Sequence, residues 1–345
     1  MRVLVTGHRG YIGSVVAEVL RHARFDVVGL DCDLYGACGF GRVAEETPSF
    51  DLDVREVEFT DLLSFDAVVH LAALPECFGP ELDPALVEEV NLHGTLRLAE
   101  CCKQAQVSRF LFTSSCAVYG RDPADLQNEE SPTAPLTAYA RSKLECERLL
   151  SQLADSTFSP VFLRCATVYG MSPRLRLDTV VNDFVASAVA RGRIDMQTEG
   201  RAWRPLVHVE DLARTFAAVL TAPDDSVRSQ VLNVAATDQN HRIIDVADLV
   251  AELVPGCTRA DAPGVFDRRS YRVDGSKLAR TLPKLSLRWT LEQGIRQLRD
   301  AFASAALTPS AWRGERFRRV MRLQSLIERG ELDATLRQSR PAIPA

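Results

Sequence analysis

A phenol and an ammonium group lie four residues apart in the segment TAYARSK, as Tyr139 and Lys143. On a helix this spacing places both side chains on one face, with their Cβ atoms about 5–6 Å apart. A free tyrosine titrates at about 10, so a base that works near pH 7 needs its pKa lowered by about 3 units, roughly 4 kcal/mol. A neighbouring ammonium stabilises the phenolate and can supply part of that shift. Ordinary surface neighbours share the spacing, so its meaning depends on what else the chain brings to this helix.

A second candidate feature is the glycine turn TGHRGYIG, which contains Gly7, Gly10 and Gly13. It follows a strand-like segment and opens a helical one, with the spacing G-x-x-G-x-x-G rather than the G-x-G-x-x-G of the standard fingerprint. Glycines allow a tight turn and a close approach of the backbone to a pyrophosphate at the helix N-terminus. Considered alone, these glycines are equally well explained by a strand–helix turn without a ligand.

Asp31 favours the ligand-binding interpretation because it ends the second predicted strand. A carboxylate at this place accepts hydrogen bonds from ribose hydroxyls and repels a 2′-phosphate, which predicts NAD rather than NADP. Arg9 and Arg42 are charges that could weaken this preference. Asp53 ends what reads as the third strand and is a candidate for an adenine contact, although a turn aspartate explains it nearly as well.

Alternating strands and helices are predicted to position these groups. Strand patterns occur at 2–7, 26–31, 67–73, 109–115 and 160–170, and helical patterns at 11–23, 83–105 and 138–154. Such alternation predicts an α/β fold, a parallel sheet with helices on both faces. We expect three parts: 1–170, then 171–303, which returns partly to the sheet, and a basic helical tail at 304–345.

Composition and charge restrict the classes of function. The 345 residues are 46% hydrophobic and 25% charged, as in ordinary globular proteins, and the net charge of -5 gives no electrostatic case for nucleic acid. No apolar run is long enough for a membrane span. Nine scattered cysteines predict reduced thiols in a cytoplasmic protein. The six histidines lack HxxxH or HExxH pairing, so we expect no metal.

Five motifs in order resemble the extended short-chain dehydrogenase/reductases, and more closely their NAD-dependent nucleotide-sugar epimerase/dehydratase branch. They are the glycine turn, Asp31, HLAA at 70–73, SSCAVYG at 114–120 and YARSK at 139–143. RPLVHVEDLA and DRRSYRVDGSKL match the same branch, so the resemblance covers roughly residues 1–300. It implies a doubly wound Rossmann sheet with a smaller C-terminal α/β substrate domain. It also implies a homodimer formed through the helices at 84–105 and 138–154.

The resemblance also implies the site residues. Tyr139 matches the catalytic tyrosine, Lys143 its partner, and Ser115 the catalytic serine, with Ser114 as the less favoured choice. The residues expected to bind NAD are Gly7, Gly10, Tyr11, Ile12, Gly13, Asp31, Asp53, Val54, Leu71, Ala72, Ala73, Tyr139 and Lys143. The residues expected to bind a nucleoside-diphosphate sugar are Ser115, Cys116, Tyr139, Thr167, Arg204, Arg269 and Tyr271.

On the substrate side, the family places an arginine at the position of Arg204, where it binds the pyrophosphate, and a tyrosine near the same phosphates at Tyr271. A guanidinium suits this role because it forms bidentate, charge-assisted hydrogen bonds. Arg269 or Arg268 could add charge, although the family arginine just before the aspartate is missing from PGVFD. Thr167 stands where many members have an asparagine that contacts phosphate.

Several reactions are compatible with these residues. Family dehydratases carry an Asp–Glu pair directly after the catalytic Ser or Thr, where this chain has Cys116 and Ala117. Standard 4,6-dehydration is therefore disfavoured, unless Cys116 serves as an acid or base. Epimerisation at C4 through a transient 4-keto sugar needs no further group, so we expect an epimerase. A keto-reductase or dehydrogenase would use the same three residues, and a remote alternative is an inactive NAD-sensing protein.

Overall fold

The structure is a computed structural model that describes residues 1–41, 46–76, 82–260 and 267–338, with the backbone alone at 122–124. Arg42, residues 263–266 of PGVFD and the last seven residues of the predicted tail lie outside the described residues. Within the described ranges the strands are β1 (Arg2–Thr6), β2 (Asp26–Asp31), β3 (Ser49–Asp51), β4 (Ala67–His70), β5 (Arg109–Ser115), β6 (Arg121–Gln127), β7 (Ser159–Cys165), β8 (Thr167–Tyr169), β9 (Arg193–Asp195), β10 (Trp203–His208), β11 (Val231–Val234), β12 (Asn240–Arg242), β13 (Thr258–Ala260) and β14 (Ser270–Val273).

The α-helices of the same ranges are α1 (Tyr11–His22), α2 (Pro84–Glu88), α3 (Gly94–Gln104), α4 (Ala138–Leu153), α5 (Val180–Arg191), α6 (Val209–Thr221), α7 (Asp224–Val227), α8 (Ile243–Leu253), α9 (Ser276–Thr281), α10 (Leu291–Ser304), α11 (Pro309–Arg313) and α12 (Arg319–Glu328). Short 3₁₀ turns lie at Val54–Glu56, Phe59–Leu62, Cys116–Tyr119 and Glu315–Phe317.

The main sheet has seven parallel strands in the order β11-β7-β5-β4-β1-β2-β3. The strand order reverses between β1 and β4, and this is where doubly wound sheets bind ligands at the carboxyl ends of their strands. The predicted Rossmann fold is therefore confirmed. Thr6, His70 and Ser115 end three adjacent strands and reach the same edge of the sheet.

Alternate residues along the strands build two apolar layers, as the two-residue period of a strand requires. Val5 and Val69 face the layer that contains α1 and α6, while Leu4 and Val68 face the layer that contains α3 and α4. The sheet is covered on both faces, so its strands read as nearly continuous apolar runs. The sheet edge that carries the candidate site is thereby held by a rigid core.

The predicted strand at 160–170 is in fact two strands that belong to different sheets. β7 stays in the main sheet, whereas β8 pairs with β10, which also pairs with β12. The chain changes sheets at Ala166, whose N–H donates to Val234 of β11 at 3.1 Å. β11 returns to the main sheet beside β7, as expected for the region 171–303. The domain boundaries themselves stay a prediction.

The predicted helix at 83–105 contains a π-helical turn at Glu89–His93 between α2 and α3. Asn91 in this turn is buried and grips the main chain of Leu74. Leu74 N–H donates to Asn91 Oδ1 at 2.7 Å, and Asn91 Nδ2 donates to the Leu74 carbonyl at 3.0 Å. The turn thus fixes the loop that follows β4 at the site edge of the sheet.

The tail packs on the body of the chain. Leu323, Leu326, Leu332 and Leu336 form a buried cluster with Leu74. α10, by contrast, belongs to the main core through Ile295, Leu298 and Phe302. Among the described residues, no helix has both the length and the apolar character needed to cross a bilayer.

Candidate active site

Ser115, Tyr139 and Lys143 meet at the carboxyl edge of the main sheet. Ser115 is the last residue of β5, and α4 places Tyr139 and Lys143 one turn apart beside it. Helix α4 begins here because the Thr137 hydroxyl caps it, accepting from Ala140 N–H at 3.1 Å. The Ser115 hydroxyl lies close enough to the Tyr139 phenol to lower its pKa. The Lys143 ammonium lies 5.6 Å from the centroid of the Tyr139 ring.

Burial controls the charges of this cluster. Lys143 is only 2% exposed, and its ammonium also lies 4.8 Å from the centre of the Phe112 ring. Burial lowers the pKa of Lys143. Burial also raises the pKa of the Tyr139 phenol, and the negative charge of Glu76 acts in the same direction. The protein alone therefore keeps Tyr139 protonated, and ionisation requires additional positive charge beside it.

Cys116 occupies a different environment from its neighbour Ser115. It is 1% exposed, belongs to the apolar core, and its thiol donates to the Arg164 carbonyl at 3.1 Å. Burial raises the pKa of the Cys116 thiol well above its ordinary value. This geometry disfavours the predicted substrate contact and any acid–base role for Cys116, because its sulfur faces the protein interior as a neutral thiol.

The glycine turn is packed too tightly for side chains. Gly7 has φ +72°, and a Cβ on it would lie 2.7 Å from Ala72 N. A Cβ on Gly13 would collide with the Gly7 carbonyl. Gly10 precedes the first residue of α1, so the helix N-terminus opens onto this turn. The backbone can therefore approach a pyrophosphate closely, as the sequence pattern predicts.

Asp31 lies at the adenosine end of the same crevice. Its carboxylate accepts from Arg9 N–H and from Asp33 N–H, each at 2.8 Å. Burial raises the pKa of Asp31, and the two N–H groups oppose that shift. The Arg9 guanidinium, which could weaken the preference for NAD over NADP, pairs instead with Asp51. Its Nη1 lies 2.6 Å from Asp51 Oδ1. These contacts leave unchanged the expectation that Asp31 favours ribose hydroxyls over a 2′-phosphate.

The wall of the crevice brings together most of the predicted cofactor residues. It is lined by Gly7, Gly10, Asp31, Asp53, Val54, Leu71, Ala72 and Ala73. A tight glycine turn at a helix N-terminus suits the pyrophosphate of NAD, and an acid at the end of β2 suits its ribose. The residues present therefore fit this cofactor.

Tyr11 and Ile12, the first two residues of α1, are not among the residues that line the crevice. The Tyr11 hydroxyl donates to the Gly170 carbonyl at 2.8 Å and accepts from Asn182 Nδ2 at 3.2 Å. Its side chain thus ties the glycine turn to the second half of the chain. Ile12 packs against the apolar core. A cofactor contact through either of these side chains is not supported.

Asp53 differs from the prediction in its local structure. β3 ends at Asp51, and Asp53 caps a 3₁₀ turn by accepting from Arg55 N–H at 2.9 Å. The Arg55 guanidinium also grips this carboxylate, with Nη2 to Oδ2 at 2.5 Å. Burial opposes the charge of Asp53, but the hydrogen bonds from Arg55 hold its pKa below the ordinary value. The carboxylate is therefore committed to Arg55, although Asp53 lines the crevice.

A second pocket contains four of the predicted substrate residues, Thr167, Arg204, Arg269 and Tyr271. Arg204 is 8% exposed, and its guanidinium carbon lies 5.7 Å from the centroid of the Tyr271 ring. Burial raises the pKa of Tyr271, so this phenol stays neutral. Ser115 and Tyr139 do not line this pocket, but Glu76 connects the two regions, since it lines the pocket and acts on the pKa of Tyr139.

Carboxylates already hold Arg204 and Arg269, the two predicted substrate arginines of this pocket. Arg204 Nη2 lies 2.7 Å from Asp267 Oδ2, and Arg269 Nε lies 3.2 Å from Asp267 Oδ1. Arg269 Nη1 also lies 3.1 Å from Glu76 Oε1. Burial opposes the charge of Asp267, and the two arginines nevertheless hold its pKa below the ordinary value. An incoming phosphate would have to share these guanidinium groups with Asp267 and Glu76.

Sequence reasoning missed several charged residues that line this pocket. They include Glu76, Asp178, Asp183 and Arg318. Arg318 comes from the tail and pairs with Asp183 at 2.7 Å. No motif marks these positions. The one sequence feature that could have pointed to charged groups in this pocket is Asp267 of FDRRS, which pairs with Arg204.

The fold and the cluster define an NAD-dependent enzyme of the short-chain dehydrogenase/reductase type. A model of the NAD dependent epimerase/dehydratase family matches residues 3–235. The chain therefore belongs to the NAD-dependent epimerase/dehydratase family, and NAD is its cofactor.

The chain resembles curated and solved members of this family over most of its length. It is 30% identical to a UDP-glucose 4-epimerase of Mycolicibacterium smegmatis, over 82% of this chain and 92% of the relative. It is 27% identical to a dTDP-glucose 4,6-dehydratase of Salmonella typhimurium, over 86% and 91%. The crystal structure of Thermus thermophilus UDP-glucose 4-epimerase in complex with NAD has a TM-score of 0.75 and 30% identity, covering 88% of this chain and all of that chain (100%).

Proposed function

We propose that the protein is an NAD-dependent epimerase that inverts C4 of a nucleoside-diphosphate sugar through a transient 4-keto sugar. The observation that carries the proposal is the meeting of Ser115, Tyr139 and Lys143 at the edge of the sheet that also carries a crevice fitting NAD. The two residues after Ser115 carry no carboxylate, and the thiol among them is buried. The similar UDP-glucose 4-epimerases support the same reaction.

Proton transfer at one sugar oxygen is the task of the three side chains. Tyr139, as the phenolate, accepts the proton of the C4 hydroxyl, and the Ser115 hydroxyl donates a hydrogen bond to the same oxygen. When bound, oxidised NAD supplies a positive ring that stabilises the phenolate and a carbon that takes up the C4 hydride and returns it. After the keto sugar has rotated to present its opposite face, Tyr139 returns the proton to the C4 carbonyl oxygen. One proton and one hydride leave and return, so the substrate is not oxidised overall.

The resting charge state of the cluster fits this order of events. Burial and Glu76 keep the Tyr139 phenol neutral in the protein alone. The phenolate then forms only when the positive charges of Lys143 and of the oxidised nicotinamide ring both act on Tyr139. The base therefore becomes active only when the oxidised cofactor is in place.

Substrate binding is assigned to the pocket around Arg204 and Arg269. Guanidinium groups suit a diphosphate because they give planar, bidentate hydrogen bonds. Tyr271 and Thr167 line the same pocket and supply hydroxyl groups. The proposal leaves the base and the sugar to be identified by experiment.

A substrate screen tests the proposal directly. The purified protein is incubated with UDP-, dTDP-, GDP- and CDP-sugars without added NAD, and products are followed by mass spectrometry and proton NMR. We expect a product of unchanged mass with inverted configuration at C4, and at least about 100-fold slower product formation with Tyr139→Phe. Loss of water would identify a dehydratase, and net formation or use of NADH would identify a keto-reductase or dehydrogenase. Full activity of Tyr139→Phe would refute the mechanism.

We also propose a homodimer formed through α3 and α4, as in the family. The solvent faces of these helices carry mostly polar side chains, including Arg97, Glu100, Arg141 and Arg148. Such an interface would be polar rather than apolar. Light scattering after size exclusion, with Arg97→Glu as the perturbation, tests this proposal; a monomeric wild-type protein would end it.

A cytoplasmic location is proposed from the cysteines. The eight cysteines among the described residues are all free thiols, as in proteins of reducing compartments. Fractionation of the native host tests this location.

A further inference from the structure

The end of the described tail, residues 331–338, lies against the adenosine end of the NAD crevice. Leu336 lines this crevice together with Gly10, Asp31 and Val54. The Thr335 carbonyl accepts from Arg55 Nη1 at 2.9 Å. A segment outside the region matched by the family model thus forms part of the wall of the cofactor site.

Apolar contacts hold the segment in place. Leu332 and Leu336 are 6% and 3% exposed and pack in the cluster with Leu74. Leu34 and Tyr35, which follow Asp31 in the chain, pack on the same cluster. The cluster therefore joins the tail to the loop beyond β2, on the ribose side of the crevice.

A compact turn gives the segment a defined shape. Asp333 N–H donates to the Arg337 carbonyl at 2.9 Å, and Thr335 N–H donates to the Asp333 carboxylate at 2.8 Å. Leu336 has φ +61°, a conformation that is strained for a leucine and persists only where its surroundings fix it. The turn thus directs the Leu336 side chain inward.

Polar contacts from Arg55 connect this turn to the opposite wall. The Arg55 guanidinium binds Asp53 on one side and the Thr335 carbonyl on the other. Arg337 extends toward Glu56 and Glu89, at 3.6 and 3.8 Å. The 3₁₀ turn after β3 and the tail segment are therefore one hydrogen-bonded unit.

A second set of contacts fixes the loop after Asp31 to the tail. The Arg316 guanidinium donates to the Gly39 carbonyl, with Nε at 2.9 Å. The Arg319 guanidinium lies 4.5 Å from the centroid of the Tyr35 ring. The walls of the adenosine end, from Asp31 onward and from Asp53 onward, thus both rest on the tail.

We propose that residues 332–337 are part of the NAD site and retain the cofactor: the segment closes the adenosine end, and NAD leaves only when the segment moves away. Retention suits a reaction in which the hydride returns to the same sugar, because the cofactor is regenerated in each turnover. The proposal concerns cofactor binding alone and does not depend on which sugar reacts.

Cofactor release from matched variants tests the proposal. Leu336→Asp places a charge in the buried cluster, and a chain that ends at Gly330 removes the segment. Ile327→Asp, at a position 37% exposed on α12, makes the same chemical change outside the crevice. Each purified protein is loaded with radiolabelled NAD and chased with excess unlabelled NAD. We expect NAD dissociation at least about tenfold faster for Leu336→Asp and for the shortened chain, because the closing contacts are lost. Dissociation within about twofold of wild type is expected for Ile327→Asp.

Thermal melting and circular dichroism check that each variant is folded, and Leu336→Ala replaces Leu336→Asp if the latter unfolds. Unchanged NAD dissociation in the folded Leu336 variants and the shortened chain would overturn the proposal. Equal acceleration in Ile327→Asp would also overturn it, since the effect would then be general destabilisation. The readout needs no sugar substrate, so failure of the epimerase proposal would leave this measurement intact.

Discussion

Replacing Lys143 with methionine tests the electrostatic basis of the proposed chemistry. Methionine fills a similar volume without the charge, so the packing beside Phe112 is largely kept. The distance from Lys143 Nζ to the Tyr139 ring centroid is 5.6 Å. With an effective dielectric constant of about 20, the attraction between ammonium and phenolate at that distance is about 3 kcal/mol. Its loss raises the pKa of Tyr139 by about 2 units and leaves about 100-fold less phenolate at a given pH.

The assay is the pH dependence of kcat for wild type and Lys143→Met. Because the active form of Tyr139 is the phenolate, activity increases as pH rises through its pKa. Loss of the ammonium therefore moves this limb to higher pH by about 2 units, and the variant recovers activity in alkaline buffer. The thermal midpoint should not fall, because burial of a cation is unfavourable by itself.

Lys103→Met is the matched control. Lys103 lies at the end of α3, about one-third exposed, and pairs with Asp155 at 2.6 Å, on the surface rather than in the site. Its pH profile should coincide with that of the wild type. An activity loss in Lys143→Met that is equally large at every pH would refute the electrostatic reasoning, since Lys143 would then act only by positioning.

Three further changes have defined outcomes. Tyr139→Phe should lower kcat by about 10²–10⁴-fold and leave NAD binding within about twofold of wild type, measured by turnover and calorimetry; a kcat close to wild type contradicts it. Asp31→Asn should weaken NAD binding and narrow the preference over NADP by about tenfold in calorimetry, because the repulsion of a 2′-phosphate is lost; an unchanged ratio contradicts it. Arg164→Met should reduce the free energy of unfolding by about 3–5 kcal/mol in urea titration, because Glu147, paired with it at 2.7 Å, is left charged and buried. Arg148→Met, which removes an exposed pair with Glu145, should leave the free energy of unfolding close to that of the wild type, and an equal effect of the two variants contradicts the reasoning.

The main sheet was predictable because its information is local. Apolar runs at 2–7, 26–31 and 109–115 have the length and composition of buried parallel strands. The break at Ala166 was not predictable, because the apolar run continues through it and the change of sheet depends on pairing with β10 and β11. β14 pairs with β6 across more than a hundred residues of chain, and no local pattern reports such a contact.

The candidate site was predictable where a motif carries it. The family resemblance predicted Ser115, Tyr139 and Lys143 as one cluster, and β5 and α4 place all three at one edge of the sheet. The ion-pair partners of the site residues could not be predicted, because an ion pair leaves no periodic pattern in the sequence. Asp53 illustrates this limit: its carboxylate is taken by Arg55, two residues away, in a turn that reads as a strand end.

The tail shows why net basic character does not by itself indicate a polyanion site. Its arginines are used within the chain: Arg318 pairs with Asp183, Arg322 with Glu315 and Arg329 with Glu331. The Arg319 guanidinium donates to the Arg174 carbonyl at 2.6 Å and covers the Tyr35 ring. A guanidinium that is buried or paired with carboxylates and carbonyls of its own chain offers little charge to phosphates in solution. Arg316 and Arg319 therefore hold the tail to the loop after Asp31, whereas Arg318 joins it to α5.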